Sequence, residues 1–484
     1  MEKAKKKVTN QIMLITYADS MGMNLKELEE VLDKSIGKAI GGLHILPFFP
    51  SSADRGFAPI TYKKVDPTFG DWSDIERLAS KYYLMYDYMI NHVSAHSPEY
   101  LDYLEKKDAS PYRDFFIRFK EFWESGEPTA EQLEKIYKRK DGGPSVDAQF
   151  ADGTTEKIWS TFSSEQIDID CEKPAVKEFI QDNLRFLTEH GAALIRLDAF
   201  GYATKRPDTS CFFLEPQVWE LLDEQRDFLK PYGIDVLPEI HETYFTQLKL
   251  DARGYATYDF ALPLLVLQAL HFGDAIYLKN WLKICPKNQF TTLDTHDGIG
   301  VMDTYHLLPD EEIRRTLEKI YSICPVSRGI STKSSHTYFD AYQVNCSYYS
   351  ALGEDDEAYL SARAIQFFTP GIPMVYYMGM LAGINDEELL RESGEGRDIN
   401  RRYYTLEQVG EEVKRPVVAK LLRMMELRNT HPAFNGEMHL LDSDPYTLAV
   451  RWENGREWAE LHTDLKSKVS RITYTEDGNE KEFC

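Results

Sequence analysis

The sequence predicts an α/β fold, a (β/α)₈ TIM barrel, because three apolar runs end in acidic residues and because strand-like and helix-like segments alternate along the chain. The three runs are Leu194–Asp198, Val236–Glu239 and Leu293–Asp297. Each resembles a buried strand, and each carboxylate falls where that strand would pass into a loop. A barrel of parallel strands collects its active-site residues at this end of the strands. The three acids are therefore the first candidates for a catalytic site.

The remaining strands follow one another with helices between them, which indicates a parallel sheet. Before Asp198, Pro174 suits the first turn of a helix and Gly191 its C-terminal end, with apolar residues at helical spacing between them. The other predicted strands are Ile12–Tyr17, Gly42–Pro47, Tyr83–Met89, Tyr258–Ala261, Phe290–Leu293 and Ile372–Tyr377.

Two long segments interrupt this rhythm and are predicted to be insertions that carry function. After about Pro432 the chain turns to short alternating runs that are typical of a small β domain. The predicted organisation is a catalytic barrel at 1–92, 171–298 and 351–432, an inserted domain B at 93–170, an inserted domain B′ at 299–350 and a C-terminal β domain at 433–484.

The composition of the chain indicates which kinds of molecule the protein binds. The formal net charge of −23 argues against a nucleic-acid partner, because phosphate backbones bind to basic surfaces. No apolar stretch reaches membrane-spanning length, and the six cysteines have neither CxxC pairing nor metal-ligand spacing. A cytoplasmic enzyme that acts on small molecules, as a monomer or a homodimer, is expected. Without a phosphate-cradling glycine loop or a Rossmann fingerprint, no cofactor is predicted.

Three acids with separate tasks suit glycosyl transfer with retention of configuration. The nucleophile must stay ionised, and Arg196 lies two residues before Asp198 on the same strand face. This pairing is expected to lower the pKa of Asp198. A general acid needs a raised pKa, and the apolar run and the anionic neighbour of Glu239 are expected to supply it.

The segments around these acids resemble the conserved regions of the α-amylase superfamily (glycoside hydrolase family 13). The resemblance spans nearly the whole chain in the right order, at Asp87–His92, Gln166–Asp170, Gly191–Ala199, Pro238–His241 and Leu293–Gly298. It implies that Asp198 is the nucleophile, Glu239 the general acid/base and Asp297 the transition-state stabiliser. It also implies that His92, Arg196 and His296 hydrogen-bond the glucosyl ring.

Within the superfamily the chain is most similar to the sucrose phosphorylase branch, at Ile15–Ser20, Leu46–Ser51, Asp54–Phe57, Tyr342–Asn345, Tyr348–Leu352 and Gly396–Arg401. This resemblance implies phosphorolysis of sucrose to α-glucose 1-phosphate and fructose, with inorganic phosphate as a co-substrate. It implies that Asp54 and Arg401 close the glucose pocket. Phe162 and Gln166 would border the same subsite.

Preference for phosphate over water requires positive charge and hydrogen-bond donors around a closed pocket. The first insertion offers Tyr137, Arg139 and Lys140, and either cation could meet the anion. Three further residues match the mobile acceptor loop of the family, Asp340, Ala341 and Tyr342.

The acceptor itself stays open, although sucrose is favoured. Ala341 stands where relatives often carry Leu or Ile, and three cationic or titratable residues precede it, Arg328, Lys333 and His336. A smaller residue with cations nearby suits sucrose 6′-phosphate. Glucosylglycerol- or glucosylglycerate-type acceptors, and a hydrolase or transglucosidase, are further alternatives.

A metal site is not predicted. Many α-amylases bind calcium through the Asn of the motif that ends here at Asn91-His92, but the sequence has no dense cluster of oxygen ligands of the calcium-loop kind.

Overall fold

The computed structural model describes residues 6–140, 142–332 and 341–483. They form two compact units. The first comprises residues 6–7 and 45–240, and the second comprises residues 8–44, 241–332 and 341–483.

Eight strands carry the parallel pattern and are labelled β1 to β8 in chain order. They are Met13–Thr16, Gly42–Ile45, Tyr83–Met89, Ala192–Asp198, Asp235–Pro238, Thr257–Asp259, Gln289–Thr291 and Ile372–Tyr376. Each of these eight strands begins and ends within two residues of a predicted one, but the further run predicted as a strand, Leu293–Asp297, lies beyond the end of β7 and is wrong as a strand. Helices separate most of them, so the predicted α/β class is confirmed.

In the first unit, β3, β4 and β5 are neighbours in a parallel sheet. The register sets Asp87 of β3 opposite Arg196 of β4, and Arg196 opposite Leu237 of β5. All residues of β3 and β4 are buried. The helices of this unit are Trp72–Lys81, Pro98–Lys106, Phe119–Phe122, Ala130–Lys135, Pro174–Glu189 and Gln217–Leu229.

The turn into β4 requires glycine. Gly191 has φ +100°, and a Cβ there would lie 2.7 Å from the Cβ of Ala79. It follows the helix Pro174–Glu189, whose start and end agree with the prediction from Pro174 and Gly191. This turn sets the start of the strand that carries Arg196 and Asp198.

The first insertion is an ordered part of this unit. The antiparallel hairpin Ser145–Gln149 and Thr155–Trp159 packs with the short helix Phe119–Phe122. The buried guanidinium of Arg118 bonds to Glu156, with Nη2 to Oε2 at 2.7 Å. A second antiparallel pair joins His92–Ser94 to Gln166–Asp168 at the two ends of the insertion.

In the second unit, the parallel strands are neighbours in the order β6, β7, β8, β1, β2. A buried ion pair between Arg363 Nη2 and Asp294 Oδ1, at 2.6 Å, lies in its core. The helices of this unit are Leu25–Val31, Tyr244–Ala252, Leu262–Phe272, Ile276–Ile284, Asp310–Ile323, Ser327–Ile330, Tyr348–Ala351, Asp356–Phe368, Tyr377–Met380, Glu387–Ser393, Leu406–Glu412 and Pro416–Thr430.

The C-terminal part of the second unit is a five-stranded antiparallel sheet. Its strands, β9 to β13, are Glu437–Leu440, Thr447–Asn454, Glu457–Asp464, Val469–Glu476 and Asn479–Glu482. The sheet confirms the predicted C-terminal β region, whereas the exact domain boundaries stay predictions. Within the described ranges, none of the helices has both the length and the apolar character that a bilayer crossing requires.

Candidate active site

Arg196 and Asp198 lie side by side at the end of β4. The guanidinium Nη1 of Arg196 is 3.0 Å from Asp198 Oδ1 and also hydrogen-bonds to Asp87 on β3. Both side chains are buried. The alternation of side chains along a strand therefore produces the ion pair that the sequence predicted.

Glu239 follows β5 directly and joins the same guanidinium. Its backbone N–H donates to Leu197 O at 2.9 Å, and its Oε2 accepts from the Ala199 N–H at 2.9 Å. Its Oε1 lies 3.7 Å from Arg196 Nη2. Ala199 has φ +51°, a left-handed conformation, at the residue whose N–H reaches the carboxylate. One guanidinium thus contacts both Asp198 and Glu239, so the two carboxylates lie close to each other.

His92, Phe162 and Gln166 form a second group in the first unit. His92 Nε2 is 2.9 Å from the carbonyl of Phe57, and Gln166 Nε2 donates to the same oxygen at 3.1 Å. The Phe162 ring meets the His92 ring edge-on at 5.6 Å. Burial lowers the pKa of His92, so its imidazole is neutral near pH 7.

Asp54 belongs to the first unit as well. It begins the short 3₁₀ turn Asp54–Gly56, has φ +50°, and its side chain is exposed.

The ammonium group of Lys205 lies among three oxygen atoms, one of which belongs to Asn91, the residue of the calcium-binding motif of many α-amylases. Lys205 Nζ lies 2.9 Å from Asp168 Oδ2, 2.9 Å from Asn91 Oδ1 and 2.8 Å from Tyr202 O. Burial alone would raise the pKa of Asp168, but Lys205 and hydrogen bonds from Thr161 outweigh it and lower that pKa. These residues do not fit calcium, because the lysine already supplies the positive charge.

The turn after β4 carries Tyr202, which lies near residues that are predicted to bind phosphate. Tyr202 ends the 3₁₀ turn Phe200–Tyr202, meets the Phe162 ring edge-on at 5.1 Å and lies 6.1 Å from the Tyr137 ring. Burial raises the pKa of the Tyr202 hydroxyl, the cationic Arg139 lowers it, and the carboxylate of Glu239 raises it further. Arg139 also lies 5.9 Å from the centre of the Phe162 ring.

Lys140 has a different environment. Its Nζ donates to Ser160 Oγ at 2.9 Å, and burial lowers its pKa. Tyr137 stacks on Phe212 at 4.7 Å.

In the second unit, Asp297 lies in the loop after β7. Its Oδ2 is 3.4 Å from His296 Nε2, and its Oδ1 is 3.2 Å from Arg397 Nη1. Arg401 is buried, donates from Nε to His296 O at 3.1 Å and lies 5.8 Å from the Tyr17 ring. This unit therefore groups three of the predicted residues, His296, Asp297 and Arg401.

Tyr342 and Ala341 are buried in the second unit, where Tyr342 Oη donates to His241 O at 3.1 Å. Arg328 pairs with Glu318 at 2.5 Å and lies over the Tyr321 ring. Three of the predicted acceptor residues, Lys333, His336 and Asp340, lie outside the described residues.

Three residues of these groups had no role in the sequence analysis. Lys205 stands seven residues after Asp198, a spacing with no pattern of its own. Arg397 lies in the segment Gly396–Arg401 and Tyr202 follows the segment Gly191–Ala199, two of the segments that carry the resemblance. Only a residue-by-residue comparison of these segments with relatives could have drawn attention to them.

Comparison with known proteins assigns the family. Residues 21–251 match the α-amylase catalytic domain. The chain is 49% identical to a sucrose phosphorylase of Streptococcus mutans, over 96% of this chain and 98% of that protein. It is 45% identical to a glucosylglycerol phosphorylase of Marinobacter adhaerens, over 96% and 97% of the two chains. The crystal structure of a sucrose 6F-phosphate phosphorylase from Thermoanaerobacter thermosaccharolyticum superposes with a TM-score of 0.94, at 42% identity, over 99% of this chain and 98% of that one.

The three matches that span nearly the whole chain are all to phosphorylases. The fold is the α-amylase-type TIM barrel with a C-terminal antiparallel sheet. The protein is a phosphorylase and thus a glycosyltransferase. The chain belongs to the sucrose phosphorylase branch of the α-amylase superfamily.

Proposed function

We propose that the protein catalyses the reversible phosphorolysis of sucrose to α-D-glucose 1-phosphate and D-fructose through a β-glucosyl-enzyme. The observation that carries this proposal is the shared guanidinium of Arg196, which contacts both Asp198 and Glu239. Two carboxylates that contact one guanidinium suit a double displacement, in which one carboxylate forms a covalent bond and the other transfers protons.

In the first displacement, a carboxylate oxygen of Asp198 attacks the anomeric carbon. The bond from that carbon to the fructosyl oxygen breaks, and Glu239 gives its proton to the departing oxygen. In the second displacement, a phosphate oxygen attacks the same carbon, the bond to Asp198 breaks, and Glu239 takes the proton of the phosphate. The guanidinium of Arg196 keeps Asp198 ionised for the attack.

The other residues surround the glucosyl group in this proposal. Asp297 stabilises the charge that develops on the sugar in the transition state. His92, His296 and Gln166 supply hydrogen bonds, and Phe162 an apolar wall. Asp54 and Arg401 close the pocket, so that one glucosyl unit enters.

Arg139, rather than Lys140, is proposed to meet the phosphate. Arg139 lies 5.9 Å from the centre of the Phe162 ring, which packs edge-on against His92 and Tyr202, so its cation is next to residues of the proposed glucose subsite. Lys140 is engaged with Ser160, and burial disfavours its charged form. A guanidinium also offers two parallel donors to a phosphate group. Tyr137 would contact the same anion.

Charge supports sucrose over sucrose 6′-phosphate as the substrate. Arg328 pairs with Glu318 and lies over the Tyr321 ring, so its charge is already compensated by a carboxylate. Asp340, beside Ala341 and Tyr342, adds a negative charge to the acceptor loop. Identity to the sucrose phosphorylase of Streptococcus mutans is 49%, against 42% to the sucrose 6F-phosphate phosphorylase of Thermoanaerobacterium thermosaccharolyticum. A reducing compartment such as the cytoplasm suits the five described cysteines, which are free thiols.

The decisive experiment compares kcat/KM for sucrose, sucrose 6′-phosphate and glucosylglycerol at saturating phosphate, with α-glucose 1-phosphate as the measured product. The highest value is expected for sucrose. A higher value for sucrose 6′-phosphate, lost in Lys333→Ala and His336→Ala, would assign that substrate instead. Release of glucose without glucose 1-phosphate would identify a hydrolase.

A matched pair of variants tests the phosphate assignment. Arg139→Gln is expected to raise the KM for phosphate at least tenfold, because the cation that is proposed to meet the phosphate is removed. Lys140→Gln is expected to change it less than threefold. The reverse ranking would assign the anion to Lys140.

A further inference from the structure

Arg397 contacts the carboxylate of Asp297 from a separate element. It belongs to the 3₁₀ turn Gly396–Asn400, and its Nη1 is 3.2 Å from Asp297 Oδ1. The other oxygen of Asp297 lies 3.4 Å from His296 Nε2. Each carboxylate oxygen thus has its own nitrogen neighbour, so both its position and its orientation are constrained.

The turn that carries Arg397 is fixed at both ends. At its start, a Cβ on Gly396 would lie 2.9 Å from Ile330 O and 3.1 Å from Asn345 Nδ2, so only glycine fits without displacing these groups. Asn345 Nδ2 itself donates to Ile330 O at 2.7 Å.

At its end, Asn400 Nδ2 donates to Thr295 O at 3.2 Å, and the following residue, Arg401, donates to His296 O. The turn is therefore bonded to the backbone of the two residues that immediately precede Asp297. A guanidinium on such a turn has little freedom to move away from the carboxylate.

We propose that Arg397 is a positioning residue that acts through Asp297, whose carboxylate it holds ionised and oriented for the glucosyl transition state. This inference rests on the proposed role of Asp297. A guanidinium is suited to the task because it stays charged at every working pH and donates in a fixed plane. Its loss leaves the carboxylate free to rotate, and a displacement of about 1 Å in a reacting group can cost about 100-fold in rate.

The prediction for single variants is a loss in kcat without a change in phosphate binding. Arg397→Gln is expected to lower kcat about 100-fold for both sucrose and α-glucosyl fluoride, with the KM for phosphate within threefold of the parent. Arg397→Lys is expected to recover part of the loss, because the charge remains while the planar donor pair is gone. Arg391→Gln, on the exposed face of the helix Glu387–Ser393, serves as the matched control and should leave both constants unchanged.

A double-mutant cycle separates a positioning role from an independent one. In an Asp297→Asn background, Arg397→Gln is expected to cost less than threefold, because the group through which it acts is already neutral. If the losses in kcat of the two single variants multiply in the double variant, the inference is overturned. A rise in the KM for phosphate with kcat unchanged would overturn it too and would make Arg397 a phosphate ligand.

The same cycle distinguishes failure of the inference from failure of the proposed function. Near-normal activity of Asp297→Asn would refute the stabiliser role of Asp297 and the inference together. A severe loss in Asp297→Asn with normal activity in Arg397→Gln would refute the inference alone. Circular dichroism and a thermal melt of each variant confirm that it is folded, and Arg397→Lys supplies the readout if Arg397→Gln does not fold.

Discussion

Replacement of Lys205 by methionine tests whether a buried ammonium stabilises the first unit. The substitution keeps an unbranched side chain of similar length and removes the charge 2.9 Å from Asp168 Oδ2. Asp168 is fully buried and would keep its hydrogen bonds from Thr161 N, Thr161 Oγ1 and Asn91 Nδ2. Removal of one partner of a buried ion pair costs about 3–5 kcal/mol, because the other charge stays buried without compensation. We expect a loss of that size at pH 7.

The pH dependence of this loss has a definite sign. In the parent, Lys205 helps to lower the pKa of Asp168, so the stability that this pair contributes is present at neutral pH and is lost only in acid. In Lys205→Met, burial dominates and raises the pKa of Asp168. The carboxyl then protonates as the pH falls, which relieves the penalty. The difference in stability between variant and parent should therefore shrink from pH 7 to pH 5.

Urea unfolding, followed by circular dichroism at several pH values, measures this difference. The double variant Lys205→Met/Asp168→Asn is the matched control and should recover at least half of the loss at pH 7, since no charge remains buried. A loss below about 0.5 kcal/mol, which is typical of surface substitutions, would contradict the reasoning. So would a double variant no more stable than Lys205→Met.

Three further predictions concern protons and metal. Burial raises the pKa of Asp259 to about 6, so the stability of the folded state due to this group is present below about pH 4 and lost above pH 6. Asp259→Asn should therefore gain stability relative to the parent as the pH rises from 4 to 7, by up to about 3 kcal/mol in urea unfolding, and a constant difference would contradict this. Burial, with Lys468 and Lys319, lowers the pKa of His271 to about 4, so stability is lost as the pH falls from 6.5 towards 4. The stability of His271→Gln should fall less steeply than that of the parent over that pH range. If the melting temperatures of the variant and the parent fall equally steeply with pH, the assignment is refuted. Because the ammonium of Lys205 occupies the cation position, EDTA should leave both activity and melting temperature unchanged; a loss that calcium restores would contradict this.

Much of the fold could be predicted because its strands are continuous apolar runs. β3 begins and ends at the predicted residues, Tyr83–Met89, since every residue of it is buried and the run has sharp limits. The ion pair between Arg196 and Asp198 could be predicted as well, because two residues on one strand face need no knowledge of the rest of the fold. Local periodicity therefore accounts for the side chains within a single strand.

Contacts between distant segments could not be predicted in this way. Glu239 reaches Arg196 from the neighbouring strand, and Arg397 reaches Asp297 from a turn 100 residues later in the chain. The run Leu293–Asp297 resembled a strand end, but β7 ends at Thr291 and these residues form a loop. Asp294 forms a buried ion pair with Arg363. We attribute the early end of β7 to this contact, because it holds Asp294 outside the sheet.

The central claim is that Asp198 forms the covalent bond to glucose while Glu239 supplies the proton. Its most direct test is mass spectrometry of Glu239→Gln after incubation with α-glucosyl fluoride, a donor whose leaving group needs no proton. The account predicts a mass increase of one glucosyl unit, located by peptide mapping on Asp198, and its release when phosphate is added. Absence of the adduct, or its location on Asp297, would contradict the account.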